Sequence, residues 1–240
     1  MPRGYENTCR VRRWPGDPTV VQIVFYNQFR MPPPDVLAEW LGQLGGNGFT
    51  AVRTGALTRA QVAALDPLGF VEAQRLVLLE HSKPREAAER ETVPRETAAR
   101  DTVRTDRLAP AQHQVAGELD SRAFAAPWGI DAAAIADVCR ATAHHRARAI
   151  TIDGRVVAYA VSGRDGKLGF LQRLAVDPAA QRRGLGRALV ADSLRWAARW
   201  RVERVLVNTH VENEAALALY DRMGFVQLAD RLDVLEKILP

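Results

Sequence analysis

The chain predicts an α+β fold: a mostly antiparallel mixed sheet flanked by helices. Three observations carry this expectation. From about Thr102 onward, strand-like and helix-like segments follow one another in the order β-α-α-β-β-β-α-β-α-β-β. Asp153-Gly154, a strong hairpin-forming pair, joins two strand-like runs directly. One long amphipathic stretch, Leu185–Arg201, stands between two strands as a crossover.

Taken in chain order, Val20–Tyr26 reads as a strand, Asp35–Leu44 as a helix, and another strand begins at Phe49. From His81 to about Arg100 there is almost no large apolar residue. Both charge signs mix there, and Pro84 and Pro94 interrupt the run. Such a stretch cannot bury enough surface to offset the entropy of ordering. It predicts a linker over 81–101, between a module at 1–80 and a second at 102–240. Thr102–Leu108 predicts the first strand of the second module, with Pro110 opening a helix. Asp131 predicts the N-cap of a helix running to His145, apolar at Ile135, Val138 and Cys139. His144 and His145 would then serve that helix's terminal carbonyls. Strands Ala147–Ile152 and Arg155–Ser162 flank the hairpin pair, and Lys167–Val176 follows Asp165-Gly166. After the long helix come a strand at Glu203–Thr209, a helix at Asn213–Met223 and two short strands within Phe225–Lys237.

Composition narrows the setting. Of the 240 residues, 47% are hydrophobic and 25% charged, which is ordinary for a globular protein. Cys9 and Cys139 have no close spacing, so they make neither a disulfide framework nor a metal site, and a reducing, cytoplasmic location is expected. The first residues lack the apolar core of a signal peptide, and no run approaches the length of a membrane span. A soluble protein with no membrane partner follows. The net charge of +5 is mostly arginine scattered along every segment. None of the familiar nucleic-acid motifs is present, so the charge is read as composition rather than as a nucleic-acid site.

The richest local pattern follows the strand ending at Val176. There Asp177-Pro178 leads to Gln181-Arg182-Arg183-Gly184-Leu185-Gly186-Arg187 and straight into the long helix. The first turn of a helix offers backbone N–H groups and partial positive charge. Gly184 and Gly186 let an anion approach the backbone, and Arg182, Arg183 and Arg187 add charge that suits phosphates. Without ligand chemistry, the same glycines would serve only a tight turn and the arginines would be solvated. A Walker A loop is excluded because no Gly-Lys-Ser/Thr follows, and a dinucleotide fingerprint because the third glycine is missing.

Leu174 to Leu189, through Gln181-Arg182-Arg183-Gly184-Leu185-Gly186, resembles the acetyl-CoA signature of the GNAT superfamily, Gln/Arg-x-x-Gly-x-Gly/Ala. Downstream, Asn208 to Phe225, with Asn213, Ala216, Tyr220 and Gly224-Phe225 in register, resembles the second motif of that family. The resemblance covers about Thr102–Pro240 and implies the GNAT acyl-CoA N-acyltransferase fold. It implies acetyl-CoA as co-substrate and a direct attack by an amine acceptor on the thioester. By the same resemblance, the backbone of Leu174, Ala175 and Val176 lies along the pantetheine arm. Gln181, Arg182, Arg183, Gly184, Leu185, Gly186 and Arg187 hold the pyrophosphate, and Asn213 contacts the cofactor arm. Tyr220 protonates the leaving thiolate, a role open to a phenol held near the sulfur; otherwise it is a core tyrosine packed with Leu217. His210, Glu212 and Asp177 are the candidates for a general base, each equally readable as a surface or turn residue. Cys139 reads as core packing, and no metal constellation is present.

Sliding the two halves past each other by 155 residues exposes an internal repeat. Thr54 falls on Thr209, Ala60 on Ala215, Asp66 on Asp221, and Gly69-Phe70-Val71 on Gly224-Phe225-Val226. The first copy lacks the chemistry. Leu65 stands at the place of Tyr220, Thr58 at Asn213 and Arg53 at Asn208. The Asn27–Pro34 connection has three prolines and no glycine, which removes N–H donors a phosphate would need. The first module is therefore expected to be a partial, non-catalytic repeat of the fold. It would pack on the catalytic domain, shape the acceptor cleft or mediate a homodimer.

Three functions compete on these grounds. The first is N-acetylation of a small amine or a peptide N-terminus. The second, from the tandem arrangement, resembles mycothiol synthase and acetylates a cysteinyl sugar. The third is a cofactor-binding sensor or assembly module without turnover. The acceptor would meet Pro110–His145 and the loop near Asp165-Gly166, with Phe124 and Trp128 either lining that cleft or packing in the core.

Overall fold

Apolar residues on alternate positions of a strand and on one stripe of a helix can be buried only by layering one on the other. A computed structural model of the chain describes residues 8–15, 17–25, 31–87 and 103–240. Within it the chain divides into two compact units. One holds the described residues up to Leu78 together with Asn208–Asn213 and Leu228–Pro240; the other runs from Leu79 to Val207 and adds Glu214–Gln227.

In the second unit, β5 (Asp106–Arg107), β6 (His144–Ile152), β7 (Arg155–Asp165) and β8 (Leu168–Val176) pair antiparallel in that order. β9 (Arg204–His210) joins β8 in parallel. The mixed sheet is thus mostly antiparallel, and Asp153-Gly154 makes the β6–β7 turn as expected. Helices α3 (His113–Ala123) and α4 (Ala132–Arg140) bury Leu119, Ile135 and Cys139 with Tyr159 and Val161 of β7. Helix α5 (Leu185–Arg199) buries Leu185, Leu189, Val190 and Leu194, and its Ser193 meets Ser162 of β7 at 2.8 Å. Helix α6 (Glu214–Arg222) precedes the last strand.

In the first unit, β1 (Cys9–Trp14) and β2 (Asp17–Phe25) form an antiparallel pair, and β2 runs parallel to β3 (Ala51–Thr54). Antiparallel to β3 lies the end of β10 (Val226–Ile238), with Glu236, Lys237 and Ile238 opposite Arg53, Val52 and Ala51. Helices α1 (Pro34–Gly46) and α2 (Arg59–Leu65) and strand β4 (Val71–His81) complete the elements of this part of the chain. The core joins Leu37, Trp40, Val52, Leu57 and Leu65 to Leu235 and Leu239, so the chain's last strand supplies part of it.

The repeat is visible in the backbone. β3, α2, the turn at Gly69 and β4 follow one another as β9, α6, the turn at Gly224 and β10 do. Both glycines adopt the left-handed conformation, with φ of 69° and 84°. Thr54 and its counterpart Thr209 are both buried, as are Leu65 and Tyr220.

Four expectations need correction. The helix begun by Asp131, whose carboxylate accepts from Ala134 N at 2.8 Å, stops at Arg140. His144 and His145 open β6 instead of capping a helix, because the ladder with Arg164 and Gly163 of β7 claims them. The strand at Thr102–Leu108 shrinks to Asp106–Arg107, since Leu108 turns into the core and Pro110 starts a short 3₁₀ turn; Thr102 lies outside the described residues. Phe225–Lys237 forms one long strand, Val226–Ile238, rather than two. Strand β1 was not expected, because Arg10, Arg12 and Arg13 mask its alternation; Arg12 is satisfied by Gln22 at 2.7 Å. Of the linker at 81–101, residues 88–101 lie outside the described residues, while His81 ends β4.

Candidate active site

Strand β8 pairs with β7 as far as Val176 but with β9 only over Leu168–Phe170, opposite Arg204–Leu206. Beyond Phe170 the two parallel strands part. Asp177 N–H donates to Val157 O of β7 at 2.9 Å. Successive N–H groups of a strand point to opposite edges, so those of Val176 and Leu174 point away from β7, into the opening. Leu174 and Val176 are half-buried, and Ala175 between them is buried in the α3–α4 core.

The connection to α5 is short and shaped by side chains. Asp177 caps a turn through Ala179 N at 3.1 Å and pairs with Arg122 of α3 at 2.9 Å. The Arg122 hydrogen bond holds its carboxyl below the usual carboxylate range. Gln181 reaches back toward Val176 O at 3.4 Å. Arg182 takes φ 65° and Gly184 φ 80°, a backbone that Gly alone adopts freely. Among the described residues no atom lies within 4 Å of where a Gly184 Cβ would sit, so the space above it is open. Gly186 has the opposite surroundings. A Cβ there would lie 3.1 Å from Leu219 of α6, so its small size also serves helix packing. The first helical bond is Ala188 N to Gly184 O at 3.0 Å, which leaves the N–H groups of Leu185, Gly186 and Arg187 ahead of the ladder. Leu185 is buried and anchors the turn, while Gln181, Arg182, Arg183 and Arg187 are exposed.

Tyr220 lies on α6, 5% exposed, with its ring 5.6 Å from that of Phe225. Burial pushes its phenol up, against a smaller opposing effect of the Arg173 charge. It is therefore a neutral O–H donor at any ordinary pH. Among the described residues no side chain or backbone group hydrogen-bonds its hydroxyl.

The stretch that holds this parting strand and the glycine-started helix also carries a family pattern. The pattern of the Acetyltransferase (GNAT) family fits residues 114–225. This segment belongs to the GNAT family.

Curated relatives of the GNAT segment are similar over short stretches. A mycothiol acetyltransferase of Amycolatopsis mediterranei is 39% identical over 61 residues, 25% of this chain and 20% of the relative. A ribosomal protein bS18 alanine N-acetyltransferase of Escherichia coli is 34% identical over 76 residues, 32% of this chain and 51% of the relative. The aligned parts thus span about a fifth to a half of these relatives. Among solved structures, a tandem GNAT protein from the clavulanic acid biosynthesis pathway superposes with a TM-score of 0.64 at 12% identity. That alignment covers 92% of this chain and 75% of the other, and it speaks to the fold alone.

The remaining predicted residues of the GNAT segment are less tightly gathered. Asn213 stands immediately before α6, its N–H donating to His210 O at 3.0 Å. His210 accepts from Glu212 N through Nδ1 at 3.2 Å, a turn arrangement, and Asp177 is engaged by Arg122. Phe124 packs against the α3–α4 core.

Sequence reasoning missed a buried charge cluster. Asp120 of α3, fully buried, accepts from Tyr159 Oη at 2.5 Å, Ile130 N at 2.8 Å and Arg173 Nε at 2.9 Å. Arg173 also donates to Trp128 O at 2.9 Å and lies 3.7 Å above the Phe124 ring. Burial works against the Arg173 charge, but the Asp120 carboxylate keeps it protonated. Burial, then the Asp120 charge, drive the Tyr159 phenol upward. The available signal was one charged residue inside a mostly apolar strand, directly before Leu174.

Residues and backbone fit an acyl-CoA thioester. The opening beside β8 offers N–H groups for an extended amide-bearing arm, and the open space over Gly184 faces a helix N-terminus ringed by arginines. No helix among the described residues is long and apolar enough to cross a membrane.

Proposed function

We propose that the chain is an N-acetyltransferase that uses acetyl-CoA and a primary amine acceptor, with its catalytic machinery in residues 102–240. One observation carries the reading: β8 leaves β9 after Phe170, beside a helix whose first turn is opened by a left-handed glycine. The acyl donor supplies an activated thioester. Leu174 and Val176 N–H groups bind and orient the arm. Gly184, Leu185, Gly186 and Arg187 receive the pyrophosphate at the α5 N-terminus, and Gln181, Arg182 and Arg183 flank it. Asn213, at the start of α6, contacts the arm. Tyr220 holds a proton on a buried phenol with no competing partner, ready for the departing thiolate. Direct attack needs no nucleophile from the chain, and Cys139 remains a buried core residue.

The acceptor panel is a peptide beginning with alanine, a cysteinyl sugar and simple amines. Release of CoA thiol is the readout. Tyr220→Phe is expected to lower turnover by about 10²-fold or more with acetyl-CoA affinity unchanged. Wild-type turnover in that variant would remove Tyr220 as the acid. Saturable donor binding with no thiol release on any acceptor would favour a sensor or assembly module instead.

A further inference from the structure

At the other end of α5 from Gly184 lies a groove of about 330 Å³ lined by Ala143, His144, His145, Arg164, Trp196 and Trp200. Fifteen residues of helix put it roughly 20 Å from the candidate donor loop, so the two are separate places. Its chemistry is unusual for a bare surface. Trp200 is 55% exposed, and the Arg164 guanidinium stacks on its ring at 4.4 Å. Arg164 makes no ion pair or side-chain hydrogen bond among the described residues, and its buried Nε has no acceptor. A guanidinium carries five N–H donors and is rarely left with all of them unspent at a half-buried site.

The surrounding charge points the same way. His144 stands directly opposite Arg164 in the β6–β7 ladder, so two basic side chains share this end of the groove. Among the described residues no carboxylate lines the groove. Nearby, His113 is depressed by burial and then by the positive charges of Arg140 and His145. The last carbonyls of α5, which would repel an anion, are occupied: Trp196 O and Ala197 O accept from Trp200 N, and Ala198 O from Arg201 N. An arginine with an unpartnered buried Nε, stacked on an exposed tryptophan, departs from ordinary polar satisfaction, and such departures are expected at functional surfaces.

We propose that this groove binds the base-and-phosphate unit of a nucleotide, as part of a single strand of nucleic acid. The free face of Trp200 stacks a base, and Arg164 with the histidines takes the adjoining phosphate. Interleaved aromatic and cationic groups are the means by which single strands are held without a sequence motif, which is why the sequence motifs gave no sign of it. The site is independent of the acetyl-transfer reading.

The test is fluorescence anisotropy of a labelled ten-residue oligoadenylate with the full chain, at low salt and saturating acetyl-CoA. Trp200→Ala and Arg164→Gln are each expected to weaken binding about tenfold or more, with acetyl-CoA affinity retained as evidence of folding. The double variant Arg182→Gln/Arg183→Gln, at the donor loop, is expected to bind the decamer as wild type does. AMP as competitor separates the two sources of the same chemistry. Displacement only at far higher concentration than unlabelled decamer supports a strand, and displacement at similar concentration supports a free nucleotide. The proposal is overturned if the decamer does not bind, or if it binds both groove variants normally. It is equally overturned if a ten-residue glutamate peptide competes as well as the decamer, since charge alone would then account for binding.

Discussion

Arg173 occupies the residue before the backbone segment assigned to the donor arm, and its side chain is fully committed. It spans Asp120, the Trp128 carbonyl and the Phe124 ring, so it ties the α3–α4 connection to β8. Removing one member of a buried pair strands the other charge, which typically costs about 3–5 kcal/mol. Asp120→Ala is therefore expected to lose about that much in denaturant unfolding, and Tyr159→Phe, which removes one hydrogen bond to the carboxylate, about 1.5–3 kcal/mol. Equal stability of Asp120→Ala and wild type would show that the cluster is not a structural anchor. Tyr220 is a contrast at the same scale. It too is buried and protonated, yet among the described residues nothing hydrogen-bonds its hydroxyl, whereas that of Tyr159 is held by Asp120. The motif around Tyr220 was legible because its spacing is local. The Asp120–Arg173 pair was not, because 53 residues separate partners that only the packing of α3 on β8 brings together.

At the scale of elements, local turn chemistry made several boundaries readable. Asp131 caps α4, Asp153-Gly154 turns the β6–β7 hairpin, and Gly184 starts α5. Failures came where ladder pairing overrode local pattern. His144 and His145 follow a helical run, yet β7 draws them into β6, and β10 runs unbroken over Val226–Ile238 in place of two short strands. The parting of β8 and β9 is invisible to periodicity, since Leu168–Val176 looks like one uniform strand. A second tie between elements was missed for the same reason. Asp192 of α5 is held by Arg146 of β6 at 2.7 Å and by Thr105 at 2.9 Å. Burial raises its carboxyl, but the Arg146 hydrogen bond and charge outweigh this and hold it below the usual range. A carboxyl depressed in the folded state stabilises above its unfolded value of about 3.9, and that contribution is lost as pH falls through the lower folded value. Asp192→Asn is expected to flatten the loss of stability below about pH 4. An acid limb as steep as that of wild type would place the titrating group elsewhere.

For the whole molecule, the repeat accounts for two similar β-α-turn-β passages in one chain. The first copy keeps the buried threonine at Thr54 and the left-handed glycine at Gly69, but Leu65 fills a core position where Tyr220 stands in the second. Its α1 begins at Pro34, which lacks the N–H that the start of α5 presents. The chain's contacts also cross the simple division at the linker, because Leu235 and Leu239 belong to the core around Trp40 and Val52. A sequence cut at 81–101 does not reveal this, since strand exchange leaves no compositional mark. The proposed acetyltransferase has one donor site per chain, at the glycine-started end of α5. Calorimetric titration of acetyl-CoA tests it most directly, using wild type and Gly184→Asn, a side chain that tolerates the left-handed backbone but fills the space above the loop. One equivalent bound per wild-type chain and at least a tenfold loss of affinity in the variant are expected. Two equivalents per chain, or undiminished affinity in Gly184→Asn, would contradict it.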